Sequence, residues 1–178
     1  MANFYTDSHG ERWGVMIQEK HMSCGPASVA MTDVYYTSSI VADLESKVRD
    51  LSKKYPGGFT EDGGTNVKNL VNVLRAEGIK TYDAIYVPGT GVWNYIYAYA
   101  KDTTPVIVHI SWTPGGGHFA VCIQVYKNDQ HCIFLDPWYG LVEFAGSALP
   151  SYTVTDPTGT FGAAANGNLS GWIIVTKR

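Results

Sequence analysis

Residues 18–28 read Gln18-Glu19-Lys20-His21-Met22-Ser23-Cys24-Gly25-Pro26-Ala27-Ser28. Ser23 at a cap position with Pro26 in the following turn marks a helix start, because proline has no N–H for the first turn to lose. The predicted helix continues through Val29, Met31 and Val34 to Tyr36. Cys24 therefore stands at a helix N-terminus, where free backbone N–H groups and the positive end of the helix dipole favour the thiolate. A second helix is expected over Val41–Lys54, with Val41, Leu44, Val48 and Leu51 at helical spacing, stopping at Tyr55-Pro56-Gly57-Gly58. A third begins near Thr65 and ends at Gly78.

Beyond that point the pattern changes period. Ile79–Val87 reads as a strand and Val92–Tyr99 as a short aromatic helix. Pro105–Trp112, His118–Tyr126 and Gln130–Leu135 read as strands, the last two joined at Lys127-Asn128-Asp129, and Gly171–Thr176 closes the chain. Ala145–Gly167, rich in Gly, Ala, Thr, Ser and Pro, reads as a surface loop. Helices first and an antiparallel sheet after make the class α+β. One domain is expected over residues 1–178, with a helical lobe about 1–85 and a sheet lobe about 86–178.

The chain has 178 residues, 45% apolar and 16% charged, with 13 Lys and Arg against 16 Asp and Glu. A charge of −3 lacks the basic footprint of a nucleic-acid binder. No apolar run is long enough to cross a membrane as a helix. Met1 to His9 has neither the basic nor the apolar part of a secretory signal, so the expected location is cytoplasmic, or outside the cell by a dedicated secretion machine. The three cysteines, Cys24, Cys122 and Cys132, are too few for a disulfide scaffold.

Two further stretches complete a chemical constellation. Gly115-Gly116-Gly117-His118-Phe119-Ala120-Val121 opens a strand, and Leu135-Asp136-Pro137-Trp138-Tyr139-Gly140 ends one. A histidine near Cys24 would pair with the thiolate and shuttle its proton. Asp136 would accept a hydrogen bond from the other imidazole nitrogen and fix the ring. Gln18, six residues before Cys24, could fold its amide back so that it and the Cys24 N–H hold an oxyanion.

These residues resemble the papain-like cysteine peptidases. The chain is most similar to the compact bacterial branch that includes the double-glycine leader peptidase domains of bacteriocin exporters. The matching residues are Gln18, Cys24-Gly25-Pro26-Ala27, His118-Phe119-Ala120-Val121 and Asp136-Pro137. The resemblance implies a helical lobe packed on an antiparallel sheet lobe with the site in the cleft between them. It also implies Gln18 as oxyanion donor, Cys24 as nucleophile, His118 as general base and acid, and Asp136 as the orienting residue. Trp138 resembles the tryptophan that shields the orienting residue of papain. The exporter domains usually carry Asp where this chain has Ser23, and no transporter segments follow, so a stand-alone processing or effector peptidase is expected.

His109, inside the apolar run Pro105–Ile110, is the competing base, and a core or interface role is the better reading for it. His21, Cys24, His118 and Cys122 lack the Cys-x-x-Cys pairing of a zinc site, so neither metal nor cofactor is expected. The expected partner is a peptide or protein substrate. Gly63 and Gly64 would let its backbone approach closely, and Trp112 and Trp138 would wall the cleft. Acyl transfer, as in phytochelatin synthases, shares the thioester chemistry, and a non-catalytic papain-like binding module is the third reading.

If His118 and Asp136 face each other across a hairpin, as in papain-like sites, paired positions sum to 254. Cys122 then lies opposite Cys132, close but reduced. A tight turn at Asn128-Asp129 gives 257 instead and puts the thiols on opposite faces, unless a bulge intervenes. The facing pair is the expectation.

Overall fold

The computed structural model describes residues 2–39, 41–155 and 165–177. In chain order its elements are β1 (Ala2–Thr6), β2 (Arg12–Met16), α1 (Cys24–Thr37), α2 (Leu44–Ser52), α3 (Val67–Ala76), β3 (Ile85–Tyr86), α4 (Gly91–Tyr99), β4 (Val106–Trp112), β5 (Gly117–Tyr126), β6 (His131–Asp136), β7 (Gly140–Ala145), β8 (Ser151–Val154) and β9 (Ala165–Val175). The class is α+β, as the sequence implies. Every strand pair is antiparallel, in the order β3-β9-β4-β5-β6-β7 with β8 beside β9, while β1 and β2 form a separate hairpin. No helix among the described residues is long and apolar enough to cross a membrane.

Local chemistry moves several expected boundaries. α2 starts at Leu44 rather than Val41 because Asp43 sits at φ 57, outside helical space, which leaves Val41 40% exposed. α3 starts at Val67 because the Asn66 side chain accepts from Lys68 N–H at 2.8 Å. Of Ile79–Val87 only Ile85 and Tyr86 form a strand; the earlier part makes a single bridge from Thr81 to Thr176. The expected loop Ala145–Gly167 contains β8 and the start of β9, and its residues 156–164 lie outside the described ones. The chain also opens with the β1–β2 hairpin, in the part expected to be helical.

The sheet separates two cores. On one side α1 and α3 pack Val29, Leu70 and Leu74 against Phe119, Val121 and Ile123 of β5. On the other, Val92 and Ile96 of α4 and Tyr152 of β8 pack against Ala120, Cys122 and Phe134. Strict alternation would put Val125 with Ile123, yet it lies in the second core. A bulge explains this. Cys122 pairs with Phe134, Gln124 with Ile133, and Ile123 is the extra residue between them.

The same bulge corrects the expected register. Tyr126 pairs with His131 and Val125 with Cys132, while Cys122 pairs with Phe134. Paired positions therefore sum to 257 near the turn and 256 beyond the bulge, never 254. Cys122 and Cys132 are not opposite one another. They are diagonal neighbours in the second core, both fully buried and both free thiols.

Candidate active site

The loop entering α1 is fixed from several sides. Ser23 does not cap the helix with its side chain. Its Oγ accepts from Lys20 N–H at 3.0 Å and donates to Glu45 Oε1 at 2.6 Å. Glu45, 1% exposed, also accepts from Glu19 N–H at 2.9 Å and pairs with Arg49 at 2.6 Å. Burial raises the Glu45 pKa, and the hydrogen bonds from Ser23 and the Glu19 N–H work against that rise. Gln18 N–H donates to Pro137 O at 2.8 Å, which joins this loop to the one after Asp136, and His21 meets the Trp138 ring edge-on at 4.9 Å. The Gln18 side-chain amide donates to Lys20 O at 2.8 Å and His21 O at 2.6 Å, so it is turned into its own loop.

Cys24 begins α1 and is 9% exposed. Close packing makes that position possible. A Cβ on Gly25 would come within 3.2 Å of both Leu70 and Thr65. His118 enters on the second residue of β5, 2% exposed, and Asp136 ends β6, fully buried. His118 Nε2 and Asp136 Oδ1 are 2.9 Å apart, and Cys24 is near enough to the same imidazole to favour its charged form. With Nε2 engaged by Asp136, Nδ1 is the ring nitrogen left for another partner.

Burial alone would push the His118 pKa down. The Asp136 charge and hydrogen bond, helped by Cys24, raise it instead to about 10. Asp136 is likewise pushed up by burial, yet the His118 charge and the N–H groups of Trp138 and Tyr139 leave it lowered. Those two N–H groups reach Oδ1 at 2.8 and 3.0 Å. The outcome is an ionised carboxylate beside an imidazolium.

Trp112 stacks on the His118 ring at 5.5 Å, and Trp138 meets it edge-on at 6.2 Å. His109, the competing base, lies one strand away with Nδ1 2.8 Å from Ser170 Oγ. Burial first, and then the His118 charge, lower its pKa to about 4, so it is neutral at ordinary pH. Gly63 and Gly64 line a cavity of about 500 Å³ together with Thr65, His109, Phe119 and Trp172. That cavity flanks the start of α1, since Gly64 packs on Met22 and Gly25 on Phe119. Trp112 and Trp138 are not part of its wall. A larger cavity, about 660 Å³, lies among Phe4, Trp13, Met31 and Tyr35 and contains none of the predicted site residues.

Residues 14–147 match the Peptidase_C39 like family. The chain belongs to that family. It is a papain-like cysteine peptidase. Its fold is similar to a double-glycine motif protease from an AMS/PCAT transporter, solved in complex with the leader peptide, at 19% identity and TM-score 0.56 over 92% of this chain and 91% of that one. It is also similar to the peptidase domain of Streptococcus ComA, a bifunctional ABC transporter of a quorum-sensing pathway, at 18% identity and TM-score 0.61 over 92% and 98%. The Streptococcus mutans ComA peptidase domain gives 18% identity and TM-score 0.54 over the same shares. At these identities the likeness is one of fold. A comparison with curated proteins returned no match.

Two residues at this site carry no short-range sequence signal. Glu45 reads as a helical charge spaced four from Arg49, and Tyr152 stands in the Gly- and Ala-rich stretch. A Ser-Tyr-Thr-Val alternation at 151–154 is the one cue to β8.

Proposed function

We propose that this peptidase cleaves its substrate through Cys24, His118 and Asp136. The observation that supports this best is the buried His118–Asp136 bond of 2.9 Å, with Cys24 at the start of α1 among the groups that raise the His118 pKa. The Cys24 thiolate adds to the scissile carbonyl carbon, and the carbonyl electrons move onto oxygen. Collapse expels the amine, which takes its proton from the His118 imidazolium and leaves a thioester. His118, now neutral, removes a proton from water as the water attacks the thioester. The acid leaves and the thiolate–imidazolium pair returns, while Asp136 holds the ring throughout.

The Cys24 N–H and Gln18 are the proposed oxyanion donors. For Gln18 this requires that one of its two bonds to the Lys20 and His21 carbonyls be exchanged for the substrate oxygen. Gly63 and Gly64 are proposed to hold the substrate backbone beside their cavity. Trp112 and Trp138 are proposed to keep water from the His118–Asp136 pair rather than to contact substrate side chains. The substrate is a peptide or protein, in keeping with the leader peptide bound to one similar protease.

The test is identification of new termini in a mixed peptide library by mass spectrometry. Wild type is expected to generate them, Cys24→Ala none, and His118→Ala almost none. Asp136→Asn is expected to be impaired less than His118→Ala, and Gln18→Ala to lose about 10²–10³ in rate. His109→Ala should keep its cleavage products. Cleavage by Cys24→Ala, or an active His118→Ala beside an inactive His109→Ala, would overturn the assignment.

A further inference from the structure

Asp136 is fully buried, and its two oxygens have different surroundings. Oδ1 receives His118 and the N–H groups of Trp138 and Tyr139. Oδ2 receives the hydroxyl of Tyr152 at 2.8 Å. Three donors hold Oδ1 from one side of the carboxylate, and the Tyr152 hydroxyl holds Oδ2 from the other, so both oxygens of the group are fixed. We infer that Tyr152 is a positioning residue of the site, fixing Asp136 and through it the His118 ring.

The placement of Tyr152 supports this in three ways. It is fully buried, and its ring is held by Phe134 at 5.6 Å and Phe144 at 4.9 Å, so the hydroxyl has a defined direction. It meets Trp112 edge-on at 6.0 Å, and Trp112 stacks on His118, so one side chain steadies both partners of the pair. Its strand lies against β9 with Tyr152 opposite Gly167, where a Cβ would collide with the Trp112 ring at 2.6 Å. Burial and the Asp136 charge push the Tyr152 phenol well above its ordinary pKa, so it stays protonated and remains a donor throughout the working range.

The inference rests on the Cys24–His118–Asp136 reading, and its test separates the two. The probe is iodoacetamide, and the readout is the pH profile of Cys24 alkylation, which needs no known substrate. Tyr152→Phe keeps the ring and removes the hydroxyl. Asp136 then loses a bond that favours its charged form, so the acid limb of the profile moves up by about one pH unit, equivalent to a tenfold change at fixed pH. On any peptide the wild type cleaves, kcat falls about 10- to 100-fold with KM little changed, the range for one hydrogen bond to a buried charge. Asp136→Asn combined with Tyr152→Phe is no slower than Asp136→Asn alone, because the hydroxyl acts through that carboxylate.

An unchanged limb in Tyr152→Phe beside a displaced one in Asp136→Asn overturns the role of Tyr152 and leaves the triad standing. So do losses that multiply in the double variant. An unchanged limb in both Asp136→Asn and Tyr152→Phe removes the triad reading itself. If Tyr152→Phe loses its near-ultraviolet circular dichroism, 3-fluorotyrosine at position 152 gives the same measurement without a change of shape. A stronger donor there moves the acid limb down, and an unmoved limb rejects the inference.

Discussion

Replacing His109 with asparagine tests the electrostatics beside the site through stability alone. His109 releases its proton near pH 4 in the folded chain, against 6.5 for the free side chain, because burial and then the His118 charge disfavour its cation. The folded state therefore declines a proton that the unfolded chain accepts. This contribution is intact above pH 6.5 and is lost as pH falls toward 4. At about 1.4 kcal/mol per pH unit the wild type loses at most about 3 kcal/mol from this source, and about 2 kcal/mol once water at the exposed edge of the ring is allowed for. Asparagine can keep a contact to Ser170 but carries no titrating group. Urea unfolding of both proteins at pH 7, 5.5 and 4.5 gives the difference directly, and other acid-sensitive groups cancel in it. The wild type should lose its advantage over His109→Asn steadily through this range. A difference that stays constant from pH 7 to 4.5 would show that His109 is not held neutral by its surroundings.

Limiting iodoacetamide at neutral pH should modify Cys24 well before Cys122 and Cys132, whose pKa values burial pushes up, to about 12 for Cys132. Equal labelling of the three thiols by peptide mapping would contradict this. Glu45→Ala strips Ser23, the Glu19 N–H and Arg49 of a shared partner and should cost about 3 kcal/mol in urea unfolding, the penalty for breaking a buried pair. A loss below about 0.5 kcal/mol would place Glu45 among ordinary surface charges.

The candidate site residues that could be placed from the sequence are those whose position in an element follows from their immediate neighbours. Cys24 is marked by Ser23 and Pro26, His118 by the glycines before its strand, and Asp136 by the strand end and Pro137. What could not be read depends on distant contacts. Tyr152 reaches Asp136 only because a four-residue strand is held against β9, and no local propensity announces that pairing. Ser23 looks like a cap, but a buried carboxylate from another helix draws its hydroxyl away from that role. The hairpin register departs from the expected one for a related reason. The expectation required His118 and Asp136 to be directly opposite, whereas their side chains meet although the ladder beyond the bulge sums to 256. Gln18 is at the expected place in the chain, with its amide turned toward Lys20 and His21.

The extra residue in β5 also governs which changes of length this hairpin tolerates. Ile123 has no partner in β6, so a chain lacking it keeps every other pairing from Val121 to Tyr126 on its present side. The same shortening within β6, at Cys132 or Phe134, shifts all that follows by one place and turns Asp136 away from His118. The two paired strands therefore differ in how they accept a deletion. The one bearing the histidine holds a spare position, and the one bearing the carboxylate holds none.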